Sequence, residues 1–466
     1  MSGSFNDIDV PPTLVSFALA MTSAERTVSA AFKKAGSQVV FVPVPTTENM
    51  MPDYEALKTV YSKIFNAVRT GAVLAASVVG EGGIAAAVSK MCFGNRIGFS
   101  FDDMADPSML YAPQTGCLIL ELAGDKSVLD GIECSRLGLT MPEEEITLFG
   151  QAMSLSVLEK AWMSTLEPIF PNRPEREGSA GEAELFTERA SFPSVITRES
   201  KPTVFIPAFP GTNCENDSAR AFELAGANVE LLIVRNLTPA DIEETIRKMA
   251  DIIDRSQMIM LPGGFSGGDE PDGSGKFIAT TFRNPLIADA VARMLQQRDG
   301  LMLGICNGFQ ALIKLGLLPG GNICDIGRND PTLTFNTLGR HVSRMVYTRV
   351  ASVKSPWLAG CEAGEVFSVP VSHGEGRFVA DEETLRQLAA NGQIAFQYCD
   401  EAGNPSADVL WNPNGSAWAV EGITSPDGRV LGKMGHSERK GDSIVKNVPG
   451  SKDQKLFESG VNYFKL

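Results

Sequence analysis

Between residues 201 and 315, short apolar runs alternate with segments whose apolar positions recur every three or four residues. Thr203–Pro207 reads as a strand, Asn216–Ala225 as a helix stopped by Gly226, and Val229–Val234 as a second strand. Pro239–Asp254 is helical in pattern, and Met258–Leu261 is a strand broken by Pro262-Gly-Gly. Asn284–Gln297 is a helix, Leu301–Ile305 a strand and Gly308–Leu315 a helix. Regular alternation of helices with short apolar strands predicts a doubly wound, mostly parallel α/β sheet. In such sheets the reactive loops stand at the carboxyl ends of the strands. Here they are Ala208–Asn213, Pro262–Asp269 and Gly304–Gly308. From about residue 335 the pattern is richer in strands, with Val346–Val353, Val366–Val371 and Ala417–Ile423.

Residues 1–165 form a second compositional block, a smaller α/β or α+β domain. Leu14–Ala20, Gln38–Val44 and Cys117–Leu122 read as strands. Tyr54–Thr70, Gly83–Phe93 and Glu143–Thr165 read as helices, the last with Glu143–Glu145 as an acidic first turn. Residues 166–200 lose periodicity: Pro168, Pro171, Pro174, Gly178 and Gly181 sit among Glu175, Glu177, Glu182 and Glu184. That composition predicts a linker between 1–165 and 201–466.

A chain of 466 residues exceeds one ordinary domain, and 43% hydrophobic residues suffice for large cores. The net charge of −15 comes without any basic block, which argues against nucleic acid or an anionic membrane as partner. No apolar run reaches the roughly 18–20 residues of a membrane span, and no signal peptide opens the chain. A cytoplasmic protein is expected. The eight cysteines form no C-x-x-C pair, so reduced thiols are expected and no metal site.

The stretch Leu301–Gln310 changes this plain picture. An apolar run ends at Gly304, Cys306 follows, then Gly308, and a helical pattern begins. G-x-C-x-G has the form of a nucleophile elbow, in which glycines let strand and helix approach closely around a strained turn. Amides at the helix start favour negative charge on sulfur and can hold a developing oxyanion. A cysteine nucleophile needs a base, and the base an orienting group. Among three histidines, His436 precedes Glu438 by two places and His373 precedes Glu375 by two. In extended backbone, either pair would share a face, and spacing alone does not choose between them. The glycine-rich loop Pro262–Asp269 can expose amides to an oxyanion or a phosphate. His341, between arginines, reads as a surface or structural histidine, and Cys214 as structural. Asp102 and Asp103 read as a solvated loop in preference to a Mg²⁺ site. Gly80–Ala85 reads equally as a phosphate-binding turn or a capped turn.

Gly304-Ile-Cys-Asn-Gly-Phe-Gln310 resembles the nucleophile motif of class I (triad) glutamine amidotransferases. With Phe209-Pro-Gly-Thr-Asn213, Pro262-Gly-Gly-Phe-Ser266, Ser372-His-Gly-Glu-Gly-Arg377 and His436-Ser-Glu-Arg439, residues 201–466 are similar to the glutaminase part of phosphoribosylformylglycinamidine (FGAM) synthases. The resemblance implies a flavodoxin-like sheet and glutamine as substrate. It implies Cys306 as nucleophile, His436 as acid and base, and Glu438 as its orienting carboxylate. Amides of Gly264 and Asn307 would form the oxyanion hole, and Gly263 and Gln310 would position glutamine. His373, Glu375 and Arg377 would line a domain interface or an ammonia passage. Residues 1–165 resemble the C-terminal domain of aminoimidazole ribonucleotide synthetase, which places nucleotide phosphate at Gly82 and Gly83. The glutaminase itself would need no cofactor; ATP and Mg²⁺ would serve the complete enzyme. The synthetase domains that use the ammonia would lie in the same longer chain, the arrangement favoured, or in a separate subunit. On the second reading the chain is a docking module with little activity alone.

Overall fold

In a computed structural model of the chain, alternate residues of the strand Gln38–Val42 serve two different cores. Val39 and Phe41 join one cluster with Ala75, Ile119 and the helix residues Ile84, Val88 and Met91. Val40 and Val42 join another with Leu120, Leu122 and the helix residues Val60, Ile64 and Ala67. The period of two sends successive side chains to opposite faces, so each face of the sheet takes its own helix. The structure describes the chain except residues 1–2, 6–7, 11, 13, 50, 103–106, 169–170, 175–177, 182, 191–198, 270–273, 442–443 and 466. It divides into two units, Met1–Ile169 and Phe170–Leu466.

The first unit holds a seven-stranded sheet in the order Val73–Val78, Leu118–Leu122, Gln38–Val42, Ser135–Met141, Gly98–Phe101, Glu145–Leu148, Gln151–Ser154. Its pairings are antiparallel except between Gly98–Phe101 and Glu145–Leu148. Helix Tyr54–Arg69 starts on Asp53, whose carboxylate accepts from the amides of Glu55 and Ala56 at 3.1 Å. Two expectations for this unit need correction. Leu14–Ala20 has no regular secondary structure and is exposed, because no neighbouring strand pairs with its apolar run. Glu143–Thr165 is not one helix: it contains the strands Glu145–Leu148 and Gln151–Ser154, and the helix begins only at Leu155. Phe149 and Gly150 have φ of 50° and 74°, and two consecutive positive values turn a two-residue hairpin. Glu143–Glu145 thus precede and enter a strand and are no helical turn.

In the second unit the strands of one nine-stranded sheet are β1 (Thr203–Ala208), β2 (Asn228–Ile233), β3 (Met258–Leu261), β4 (Leu301–Ile305), β5 (Val342–Val350), β6 (Val366–His373), β7 (Ile394–Cys399), β8 (Val420–Thr424) and β9 (Val430–Lys433). Their order is β2-β1-β3-β4-β9-β8-β7-β5-β6. From β2 to β9 the pairings are parallel, in the 2-1-3-4-5 order of flavodoxin-like sheets. From β9 to β6 they are antiparallel, the strand-rich part of the sequence. β9 is therefore where the two halves of the sheet join. Every residue of β3, β4, β7, β8 and β9 is buried, as strands covered on both faces must be.

The described part of 170–200 lies along this second unit. Phe186 donates its amide to the Ala351 carbonyl at 2.9 Å. The Arg189 guanidinium donates to the Leu358 and Cys361 carbonyls at 3.1 and 2.7 Å. Glu175, Glu177 and Glu182 of the expected linker lie outside the described residues. No described helix is long and apolar enough to cross a membrane.

The elbow glycines are required sterically. A Cβ on Gly308 would stand 2.0 Å from the Leu261 carbonyl oxygen at the end of β3, and one on Gly304 would stand 2.7 Å from Gly308 backbone. Gly320, in the same unit, has nothing within 4 Å of its Cβ position. Gly308→Ala is therefore expected to cost about 1–3 kcal/mol by overpacking, whereas Gly320→Ala leaves the urea midpoint unchanged or slightly raised. Equal midpoints for the two variants would contradict the close approach.

Candidate active site

Cys306 follows directly on β4 and caps the helix Asn307–Lys314 with φ 53° and ψ −106°. A non-glycine residue there is strained by about 1–3 kcal/mol, which persists only where surrounding structure holds it. The surroundings are dense: β4 and Asn307–Ile313 are buried throughout. The Cys306 amide donates to the Lys433 carbonyl of β9 at 2.8 Å. Three residues past Lys433 the chain reaches His436. Elbow and histidine are thus neighbours because β4 and β9 pair.

His436 Nδ1 lies 2.6 Å from Glu438 Oε1, and the Cys306 thiol donates to the Ser372 carbonyl at 3.7 Å beside the ring. Nδ1 being engaged by the carboxylate, Nε2 is the nitrogen left for sulfur. The pair forms within a turn, closed by the Arg439 amide on the His436 carbonyl at 3.3 Å, and not in the extended backbone expected from the i, i+2 spacing. A Cβ at Gly263 would stand 2.7 Å from His436 Cε1, 3.3 Å from Cys214 Sγ and 3.4 Å from Cys306 Cβ. Gly263 therefore leaves open the slot where these three residues converge. Gly264 has φ 136° and bridges Thr212. Asn307 Oδ1 accepts from the Ser266 amide at 3.3 Å, which ties the glycine loop to the elbow. The amides of Gly264 and Asn307 belong to these two joined segments.

Gln310 is committed to the protein. Its Oε1 accepts from Asn307 Nδ2 at 3.0 Å and its Nε2 donates to the Glu375 carbonyl. Its bearing on a substrate therefore runs through the elbow and the 372–377 loop. His373 does not pair with Glu375: its Nδ1 meets Asn336 Oδ1 at 3.2 Å, while Glu375 Oε2 accepts from the Ser274 amide at 3.0 Å. The two His-x-Glu motifs are thus resolved, His436 alone having its carboxylate. His373, only 2% exposed, is interior. Its Nε2, Arg377 Nε and Thr337 Oγ1 are buried without a hydrogen-bond partner among the described residues. His341, exposed, meets Ser372 Oγ at 3.0 Å.

Two neighbours escaped sequence reading. Cys214 is fully buried, with Sγ 3.8 Å from His436 Nδ1. Its place after the Phe209–Asn213 loop, at the end of β1, was the available signal. Lys433 and Glu421 form an ion pair at 3.0 Å with both side chains wholly buried. Lys433 Nζ donates to the Gly435 carbonyl at 2.8 Å, and the Gly435 amide donates to Glu421 Oε1 at 2.5 Å. The pair clamps the residue before His436 from both sides. Charged residues inside otherwise apolar strands are the signal for it.

In the first unit, Gly82 and Gly83 open a helix with φ of 81° and 68°. A Cβ on Gly83 would stand 2.4 Å from the Leu110 carbonyl oxygen and 2.9 Å from that of Ala112. Glycine at position 83 is explained by the turn and this close approach. Asp102 is paired with Arg136 at 2.9 Å, and Asp103 lies outside the described residues.

With the geometry in place, comparison with known proteins is decisive. Residues 201–464 match the CobB/CobQ-like glutamine amidotransferase domain. The chain belongs to this family. It is 37% identical over 246 residues to phosphoribosylformylglycinamidine synthase subunit PurQ of Methanococcus maripaludis strain C7, covering 52% of this chain and 84% of that protein. It is 36% identical over 261 residues to the PurQ of Symbiobacterium thermophilum, covering 55% and 95%. A solved structure titled PurLQS from Thermotoga maritima covers 57% of this chain and 100% of its own at 27% identity and a TM-score of 0.41. Within the amidotransferase family the chain stands with the glutaminase component of FGAM synthase.

Burial disfavours charge on His436, yet the Glu438 carboxylate and the hydrogen bonds to Cys214, Cys306 and Glu438 hold it well above the ordinary histidine range. Burial likewise raises Glu438, but the His436 charge prevails and holds it below the usual range. His373 moves the other way: burial, with His436 and His341 nearby, pushes it down to about 3. The signs follow from linkage. The His436 contribution to stability is complete below about pH 6.5 and is lost as pH rises through its raised value. The Glu438 contribution is lost as pH falls through its lowered value. With only three histidines, ring NMR can follow each one. Between pH 5 and 8, His373 is expected to stay neutral, His436 to titrate above the ordinary histidine range, and Glu438→Gln to bring His436 down. A His436 that titrates near 6.5 in both proteins would remove the ion pair.

Proposed function

We propose that the second unit hydrolyses glutamine at Cys306 and supplies the ammonia to an FGAM synthetase component. The observation that carries the reading is His436, paired with Glu438, converging with Cys306 of the strained elbow on the slot that Gly263 leaves open. The Cys306 thiolate attacks the side-chain amide carbon of glutamine, and the resulting oxyanion is held by the amides of Gly264 and Asn307. His436 gives its proton to the departing nitrogen, the C–N bond breaks, and a γ-glutamyl thioester and ammonia result. His436 then takes a proton from water, whose oxygen attacks the thioester; glutamate leaves and the thiol is restored. Glu438 keeps the ring oriented throughout. Gly263 leaves room for the amide, and Gln310 holds Asn307 and the Glu375 loop around it.

Ammonia would leave past His373 and Arg377, whose unpartnered buried nitrogens offer polar sites along an otherwise dry route. Relatives bear the name of a synthase subunit, which supports a synthetase partner using ATP and Mg²⁺ to amidate formylglycinamide ribonucleotide. Residues 1–165 would then be a synthetase-type domain beside the linker and the glutaminase.

Glutamate release from glutamine is expected to vanish in Cys306→Ala and to fall by about 10²–10⁴-fold in His436→Ala, the usual range for losing a general acid–base. A chloroketone analogue of glutamine should label Cys306 and no other cysteine. Labelling of Cys214 with Cys306 left free would sink the assignment.

A further inference from the structure

Cys214 is not needed for the chemistry above, yet its sulfur stands 3.8 Å from Nδ1 of the His436 ring. Sγ of Cys214, a ring nitrogen of His436 and a carboxylate oxygen of Glu438 all lie within 4.8 Å of one another, and all three residues are buried. Glu438 Oε2 is in addition a buried carboxylate oxygen without a hydrogen-bond partner among the described residues. One soft sulfur, one imidazole and one carboxylate make a donor set suited to a zinc-type ion.

We propose that Cys214, His436 and Glu438 bind a thiophilic divalent cation of the zinc type, and that the bound cation turns the glutaminase off. The second half rests on the function proposed above; the first does not. Tetrahedral zinc with sulfur at about 2.3 Å and nitrogen and oxygen at about 2.0–2.1 Å sets neighbouring ligand atoms about 3.3–3.6 Å apart. Nδ1 and Oε1 now stand at 2.6 Å and Nδ1 and Sγ at 3.8 Å, so these two separations change by less than about 1 Å, and Sγ already lies within 4.8 Å of the carboxylate oxygen. The thiol donates to Asn213 Oδ1 at 3.0 Å and accepts from Arg439 Nη2 at 3.3 Å. Arg439 is half-buried and can turn outward when the metal takes the sulfur.

The proton balance explains the inhibition. On binding, the Cys214 thiol and Nδ1 of His436 each give up to solvent the proton they carry. The metal occupies Nδ1, the bond to Glu438 is replaced by coordination, and the remaining proton sits on Nε2. A ring protonated at Nε2 and bonded to metal at Nδ1 has no lone pair to accept a proton from water. Cys306 itself stays uncoordinated, which separates this device from metal capture by the nucleophile.

Co²⁺ titrated into the full chain without reductant thiols serves as the first probe. One equivalent should raise a thiolate-to-cobalt charge-transfer band, retained in Cys306→Ser and lost in Cys214→Ser. X-ray absorption of the zinc-loaded wild-type chain, which needs no variant to fold, should show one sulfur in the first shell. Zn²⁺ should lower wild-type glutamate release at least tenfold, reversibly with a chelator, and the ratio with and without zinc should approach one in Cys214→Ser. No band, a band that persists in Cys214→Ser, or a shell with no sulfur or two sulfurs overturns the site. A chain that binds cobalt as expected but releases no glutamate overturns the glutaminase reading alone.

Discussion

The constraint on which the site depends is the approach of a helix start to a strand end. Gly308 lies so close to the Leu261 carbonyl that no side chain fits between them. That contact draws the helix Asn307–Lys314 against the end of β3 and leaves Cys306 to make the turn with positive φ. The glycine loop after β3, the elbow after β4 and the histidine turn after β9 then meet above adjacent strands. The parallel half of the sheet therefore delivers three segments to one point, as the carboxyl ends of a doubly wound sheet do. Loops alone would not hold that turn; the buried strands beneath it do.

Charge is handled in the same small volume by pairing. Lys433 at the end of β9 pairs with Glu421 of β8, and His436 with Glu438 in the turn after β9, all four removed from water. Buried ions are costly singly, and a broken pair leaves an uncompensated charge worth about 3–5 kcal/mol. Here the first pair also satisfies both backbone groups of Gly435, so the charges that need each other fix the backbone that presents the His436 ring. Tyr398 is buried against this group, and burial, with Glu421 and Cys306 nearby, pushes its phenol well above its ordinary range. The two ion pairs and this phenol thus share one buried volume.

Much of this was legible in the residues. Helix and strand periods located the parallel half, and Gly304-x-Cys306-x-Gly308 located the elbow, because steric need leaves glycine as its only solution. Long-range facts were not legible. Nothing in spacing tells His436 from His373; pairing of β4 with β9 and the Asn336 contact decide it. Cys214 read as a core thiol because its partner histidine lies far along the chain. In the first unit the pattern failed where local rules are weak: Phe149-Gly150 is an uncommon pair for a positive-φ hairpin turn, and the apolar run Leu14–Ala20 has no partner strand to make it one.

The position of β9 also bears on how the enzyme comes into being. Cys306 is made early in the second unit, but His436 follows a strand that enters the sheet after β5 to β8 have been synthesised. Contacts of such wide sequence separation form late in folding. On the ribosome, the thiol of Cys306 would have neither histidine nor carboxylate until the antiparallel half emerges. Strand order thus leaves the elbow without its histidine turn until the last strands of the sheet are in place.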